Sequence, residues 1–487
     1  MSALPKFLLF LCIALGLIDS SKAVETPPEI SREFRGAWVA TVFDLNWPSR
    51  PGLPAAQQKA ELRAILDRAV ELRLNAIVLQ VRPSCDAFYE SKLEPWSAFL
   101  TGKMGQTPGY DPLDWAIGEA HARGLELHAW FNPYRAIAST SGGIAANHVS
   151  RTHPEWIRRY GTLSVLDPGE PAVRDYVRSV ILDVVKRYDV DGVHIDDYFY
   201  PYPIREKSGA ITPFPDDATW QRYQSGGGKL SRGDWRRDNI NQFVEGTYRA
   251  IKAEKRWVKF GISPFGIWRP HFPDTTDAKL DAYDQLYADS RRWLQEGWCD
   301  YFSPQLYWPI DPPAQSFSAL YRWWAQQNPN GRHVWPGIAT ERIGAQRSAA
   351  EIAREIEVTR APGANAAGQL YWDMKSLMRD LGGIDAKLRD GVYREPALIP
   401  ACPWLGREAP LAPRLTRDVT GVVWQSAGEN PAHWWAVQTK SGGVWTLRVL
   451  PAAGESLPVA GLDAVAVRAV DRYGNAGPPA VLDLKAK

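Results

Sequence analysis

The run Asp191-Gly192-Val193-His194-Ile195-Asp196-Asp197-Tyr198-Phe199-Tyr200-Pro201 is an apolar, β-rich stretch that ends in two adjacent carboxylates. Carboxylates are costly in a core, so two at one point need a reason. If the stretch is a strand, its two-residue period points His194 and Asp196 the same way. Asp197 then falls at the rim, where the turning backbone redirects it to the same cleft. Two carboxyl groups at one mouth can split their pKa values, one ionised to stabilise positive charge and the other keeping a proton for a leaving oxygen. Glycosidic cleavage requires that division of labour. The structural alternative is one Asp capping a turn and the other paired with an Arg.

Other apolar runs end in residues that suit sugar hydroxyls and ring faces. Trp38 lies in the first; Arg82 closes the second, with Asp86 just beyond; Trp130, Asn132 and Tyr134 close the third. Tyr198 follows the acid pair, Gln305, Tyr307 and Trp308 end the sixth run, and Trp372 and Asp373 end the eighth. With His194 these are the candidate substrate-binding residues. Glu341, after the seventh run, is a third candidate catalytic residue and the rival acid/base. A retaining enzyme holds its two carboxyl groups ~5–5.5 Å apart and an inverting one ~6.5–9.5 Å, so groups on opposite strands are compatible with catalysis.

Eight short apolar runs, at 36–41, 76–81, 126–131, 192–196, 259–264, 301–307, 333–339 and 368–372, alternate with longer helical patterns. Near-continuous apolar strands suit parallel pairing with both faces covered. Between them, Leu62, Ile65, Leu66, Ala69 and Val70, and then Val173, Tyr176, Val177, Val180, Ile181 and Val184, recur at helical spacing. Ser348 followed by Glu351 reads as a capping box. Eight such units predict an α/β fold, a (β/α)₈ TIM barrel over 33–394. The connections are unequal: short after helices, but long and rich in Pro, Gly, Tyr and Trp after strands, at 83–112, 132–168 and 198–233. All strand-to-helix loops of a barrel emerge at one face, so they would wall a cleft there. A Pro-rich linker is expected over 395–410 and a small all-β sandwich, fibronectin type III-like, over 411–487.

The chain of 487 residues carries a net charge of +2 with no basic run, which removes the electrostatic case for a nucleic-acid partner. Twenty-two Trp and nineteen Tyr raise the odds of a carbohydrate ligand. Residues 1–23 read as a signal peptide, and no later stretch reaches the ~18 apolar residues of a membrane span. An exported, soluble protein, periplasmic or secreted and monomeric, is expected. Cys85, Cys299 and Cys402 are too few and too odd in number for a disulfide framework. The sequence has no Gly-x-Ser-x-Gly elbow, no dinucleotide fingerprint and no Cys pair spaced for zinc, so no cofactor or metal is expected.

Five motifs, in order, carry a family resemblance: Arg35-Gly36-Ala37-Trp38-Val39-Ala40-Thr41; Gln80-Val81-Arg82-Pro83 with Asp86-Ala87-Phe88-Tyr89; Trp130-Phe131-Asn132-Pro133-Tyr134; His194-Ile195-Asp196-Asp197-Tyr198; and Gln305-Leu306-Tyr307-Trp308. Over about Glu33 to Arg394 the chain resembles the glycosyl-hydrolase-like family 10. The resemblance implies a bacterial envelope protein with a barrel domain; some members are similar to hydrolases of peptidoglycan glycan strands stripped of peptides. Asp196-Asp197 also resembles the carboxylate pair of hexosaminidases that use the substrate's acetamido group as nucleophile. On that likeness Asp196 is the orienter or nucleophile, Asp197 the acid/base, and an N-acetylated polysaccharide the partner. Two other readings remain open: a metal-dependent hydrolase using His128, His194, Asp196 and Asp197, and a barrel that binds glycan without cleaving it.

Overall fold

The computed structural model describes residues 26–138, 143–312, 314–361, 367–419 and 421–485; the expected signal peptide lies outside them. Eight strands form one parallel sheet: β1 (Phe34–Val39), β2 (Ala76–Arg82), β3 (Glu126–Phe131), β4 (Gly192–Ile195), β5 (Lys259–Ile262), β6 (Tyr301–Phe302), β7 in two pieces (His333–Val334 and Gly337–Ala339) and β8 (Gly368–Trp372). The first piece of β7 pairs with β6 and the second with β8, while β8 also pairs with β1. The sheet therefore closes on itself, as the alternating pattern predicts. The seventh run is split because Pro336 has no N–H to give, and its carbonyl instead accepts from Leu370 N.

Each strand is followed by a helix that covers it. Helix Pro171–Arg187 buries Val173, Val177, Val180, Ile181 and Val184 against the barrel, five of the six residues in the stripe its sequence lays out, while Tyr176 is half-buried. Ser348 caps Ala349–Thr359 by accepting from Glu351 N at 3.1 Å. In helix Ala55–Glu71 the stripe is narrower than the sequence suggests: Leu62, Ile65, Leu66 and Ala69 are buried, but Val70 is exposed.

Large rings fill the barrel's interior, and glycine makes room for them. A Cβ on Gly261 would lie 1.9 Å from the Tyr301 ring, and one on Gly192 2.6 Å from His128. The lumen holds one polar chain running along its axis. Lys259 pairs with Glu126 at 2.7 Å, Glu126 meets His128 at 3.0 Å, and the hydroxyl of Tyr301 bridges His128 (2.8 Å) to His194 (3.0 Å). Trp38 Nε1 donates to His194 Nε2 at 3.1 Å, so the His194 proton belongs on Nδ1. Burial holds the His194 pKa well below the usual histidine range, and this imidazole stays neutral.

The C-terminal strands form two antiparallel sheets, β9 (Arg414–Arg417), β10 (Val422–Gln425) and β13 (Ser456–Leu457) against β11 (Trp434–Ser441), β12 (Val444–Pro451), β14 (Ala464–Val470) and β15 (Ala480–Asp483). They share a core containing Trp424, Trp435, Val437 and Val465. This unit sits at the N-terminal ends of the barrel strands. There Asp191, the residue before β4, accepts from His121 of the barrel (2.8 Å), from His433 of the C-terminal unit (3.0 Å) and from Leu127 N (2.8 Å). Arg472 pairs with Asp189 at 2.7 Å, and Trp404 Nε1 donates to Asp300 at 2.8 Å. The long loops open at the opposite end. Cys85, Cys299 and Cys402 are buried and unpaired.

Candidate active site

Asp196 and Asp197 follow the last residue of β4 and are both nearly buried, yet both line one cavity of about 330 Å³ at the long-loop end of the barrel. The cavity falls in the usual size range of small-ligand sites. Trp38, Trp130 and Trp372 build its aromatic wall, with Trp372 edge-on to Trp38 (centroids 6.0 Å) and to Trp130 (6.1 Å). Tyr198, Gln305 and Tyr307 also line it.

Each carboxyl group has its own donors. Asp196 Oδ2 accepts from Trp130 Nε1 at 3.2 Å and from the amide of Asn132, and its Oδ1 from Tyr198 N at 3.3 Å. Asp197 Oδ2 accepts from the Tyr202 hydroxyl, and Gln305 supplies a second donor. Burial raises both pKa values; for Asp196 the neighbouring charge of Asp197 adds to it, and the result is about 7. On Asp197 the donors Tyr202 and Gln305 oppose the rise. The two groups titrate as a pair rather than singly, and burial is the largest cause of the rise in both.

Asn132 and His194 are fully buried and position other groups. Asn132 accepts from Gln80 and from Arg135 (2.8 Å) while donating to Asp196, and His194 holds Trp38. Replacing Asn132 with Ala removes one donor from Asp196 and the link to Gln80. The expected result is a fall in kcat of about 10–100-fold with little change in KM, read by steady-state kinetics. An unchanged kcat would remove Asn132 from the site.

Several expected site residues lie elsewhere. The pairing register of β2 with β3 shifts between Gln80 and Arg82, so Gln80 reaches the cavity while Arg82 turns away from it. Arg82 is fully buried, bound to Glu94 at 2.5 Å and to the carbonyls of Asn132 and Pro133. Asp86 accepts from Ser84 N at 3.0 Å in the wall of a neighbouring pocket. Tyr134 packs in the core against Phe243 (5.3 Å), and Trp308 stands edge-on to Phe265 (5.7 Å). Asp373 caps helix Met374–Met378 and accepts from Asn46 at 2.7 Å. Glu341 sits in the short helix Thr340–Arg342, paired with Arg342 at 3.3 Å, and does not line the cavity. His128 and His194 both bond to Tyr301, and among the described residues neither groups with the acid pair in a cluster that could hold a metal ion.

Val42, Phe43, Leu45, Tyr202 and Ser263 also line the cavity and were not singled out by type or spacing. Tyr202 had one legible signal, its place in the Tyr-rich run just after the acid pair. Phe43 and Leu45 come from a loop with no motif.

The sequence profile of the family described as Glycosyl hydrolase-like 10 matches residues 33–352. The glycosyl hydrolase YngK of Bacillus subtilis (strain 168) is 42% identical over 399 residues, covering 79% of this chain and 77% of its own. The glycosyl hydrolase DigH of Escherichia coli (strain K12) is 40% identical over 345 residues, covering 66% and 77%. Among solved structures, the catalytic domain of the β-amylase from Paenibacillus polymyxa superposes with a TM-score of 0.48 at 11% identity, covering 72% of this chain and 94% of that one.

Proposed function

The chain belongs to the glycosyl hydrolase-like 10 family and is a glycoside hydrolase, and from that premise we propose that it cleaves N-acetylated glycan strands of the bacterial envelope, peptidoglycan above all, through Asp196 and Asp197. The observation that carries the reading is the placement of two adjacent carboxyl groups, both pushed up by burial, in a single Trp-lined cavity. Trp38, Trp130 and Trp372 offer ring faces and edges to a pyranose and to the methyl of an acetamido group.

The electrostatics favour roles opposite to those drawn from the hexosaminidase likeness. Asp196, held up at about 7, is the group that keeps a proton for the leaving glycosidic oxygen. Asp197, stabilised as an anion by Tyr202 and Gln305, faces the positive charge that develops at the anomeric carbon or on the attacking acetamide. The C–O bond breaks as the Asp196 proton moves to oxygen. Water then adds to the anomeric carbon and returns a proton to Asp196.

Two measurements test this reading. Mass spectrometry of products from peptide-free glycan strands, intact peptidoglycan and an unacetylated polysaccharide should show new reducing ends with the first far above the last. Glycan binding with no new reducing ends would replace hydrolysis by recognition alone. In the pH profile, kcat/KM should fall as pH rises through about 7, because the acid loses its proton there. A rate that stays flat to pH 9 would contradict Asp196 as the acid.

We read the C-terminal strands as a fibronectin type III-like sandwich that supports the barrel from below, since the contacts described above lie at the end away from the cavity. Export to the envelope is part of the same proposal. Among the described residues no helix is long and apolar enough to cross a membrane.

A further inference from the structure

A second cavity of about 280 Å³ opens beside the first, and Phe43 lines both. Its walls come from three strand-to-helix loops: Phe43 and Asp44 after β1, Ser84, Asp86, Phe99 and Met104 after β2, and Ile137 after β3. The partition is held in an unfavourable conformation. Phe43 and Asp44 are consecutive non-glycine residues at φ 55° and 52°, a left-handed backbone that costs about 1–3 kcal/mol per residue and persists mainly where function holds it. One consequence is that the Phe43 side chain is 56% exposed between the cavities, edge-on to Phe99 at 5.5 Å.

Two polar atoms of this pocket are not used internally. Asp44 Oδ1 and Ser84 Oγ are shielded from solvent yet have no hydrogen-bond partner. Such groups are costly unless something fills their bonding capacity. Burial raises the Asp44 carboxyl to about 6, as it does for Asp86, so both walls turn anionic near neutral pH while, among the described residues, no cation lines the pocket. An anionic ligand is disfavoured there. An uncharged ring with hydroxyl donors and an apolar C–H face fits.

We propose that this pocket is a second sugar subsite, which takes an uncharged pyranose ring of the same glycan chain whose neighbouring ring occupies the cavity beside Asp196 and Asp197. The inference rests on the glycan-hydrolysis reading and adds to it a minimum substrate length and a charge preference. Phe43 and Phe99 supply apolar contact, and the Asp44 carboxyl accepts from a ring hydroxyl.

The test uses the full chain and peptide-free peptidoglycan strands fractionated by length. For the unmodified enzyme, kcat/KM should rise at least tenfold once the fragment is long enough to cross Phe43. In Phe99→Ala and Asp44→Asn that rise should shrink about tenfold, and the variants should lose far more on long fragments than on the shortest one cleaved. Asp44→Asn keeps the shape of the loop and replaces a charge-assisted acceptor with a weaker neutral one, so it decides the matter if Phe99→Ala folds poorly. An unaltered long-to-short ratio in Asp44→Asn and in folded Phe99→Ala would overturn the subsite while leaving hydrolysis intact. Failure of the unmodified enzyme to cleave any fragment would overturn both.

Discussion

Asp196→Asn and Asp197→Asn are each expected to lower kcat/KM on glycan strands by about 10²–10⁴-fold, the usual contribution of a positioned acid or base. The loss should fall on kcat, because the amide keeps the shape of the carboxyl and most contacts with bound sugar. The double variant should be little worse than the poorer single one, since the two groups act as a unit. Stability should move the other way or not at all. Both carboxyl pKa values are raised by burial and, for Asp196, by its neighbour, so the ionised pair disfavours the folded state and an uncharged amide relieves it. Folding checked by melting, with turnover followed as new reducing ends, separates the two effects. Full turnover in both folded variants would end the assignment. Asp197→Asn also removes the charge that helps hold Asp196 at about 7, so its residual activity should decline from a lower pH than that of the unmodified enzyme.

Asp191→Ala is expected to cost about 3–5 kcal/mol of stability, the range for removing one partner of a buried charged cluster. It leaves the imidazoles of His121 and His433 and the N–H of Leu127 without their common acceptor, at the joint between the barrel and the C-terminal sheets. The effect should depend on pH. Burial alone would raise the Asp191 pKa, but His121 and His433 hold it well below the carboxylate range; burial alone would lower the His121 pKa, but Asp191 raises it. The depressed Asp191 contributes stability that is present above its unfolded pKa of ~3.9 and lost as pH falls through the folded value. The raised His121 contributes stability that is full below ~6.5 and lost as pH rises through its folded value. The gap between unmodified and Asp191→Ala protein in denaturant melts should therefore be wider at pH 5.5 than at pH 8.5. A gap that is small at both would show that the joint rests on apolar contact alone.

Much of this protein is legible in its sequence because local rules govern it. Eight apolar runs with helical stripes between them commit the chain to alternating strands and helices, and long connections after strands mark the end where a cleft must lie. Strand parity aims His194 and Asp196 inward, and both reach the interior as parity requires. What a single side chain does once its strand ends depends on register and on distant partners. One irregularity between Gln80 and Arg82 exchanges a cavity residue for a core ion pair, and nothing in that run announces it. Asp373 and Tyr134 have the right types at the right strand ends, but a helix start and a core packing site claim them. Phe43 and Tyr202 reach the cavity from loops whose course is set by tertiary packing. Adjacent acids are a sequence fact; the donors that oppose the rise of the Asp197 pKa, Tyr202 and Gln305, are brought together only when the ring of strands closes.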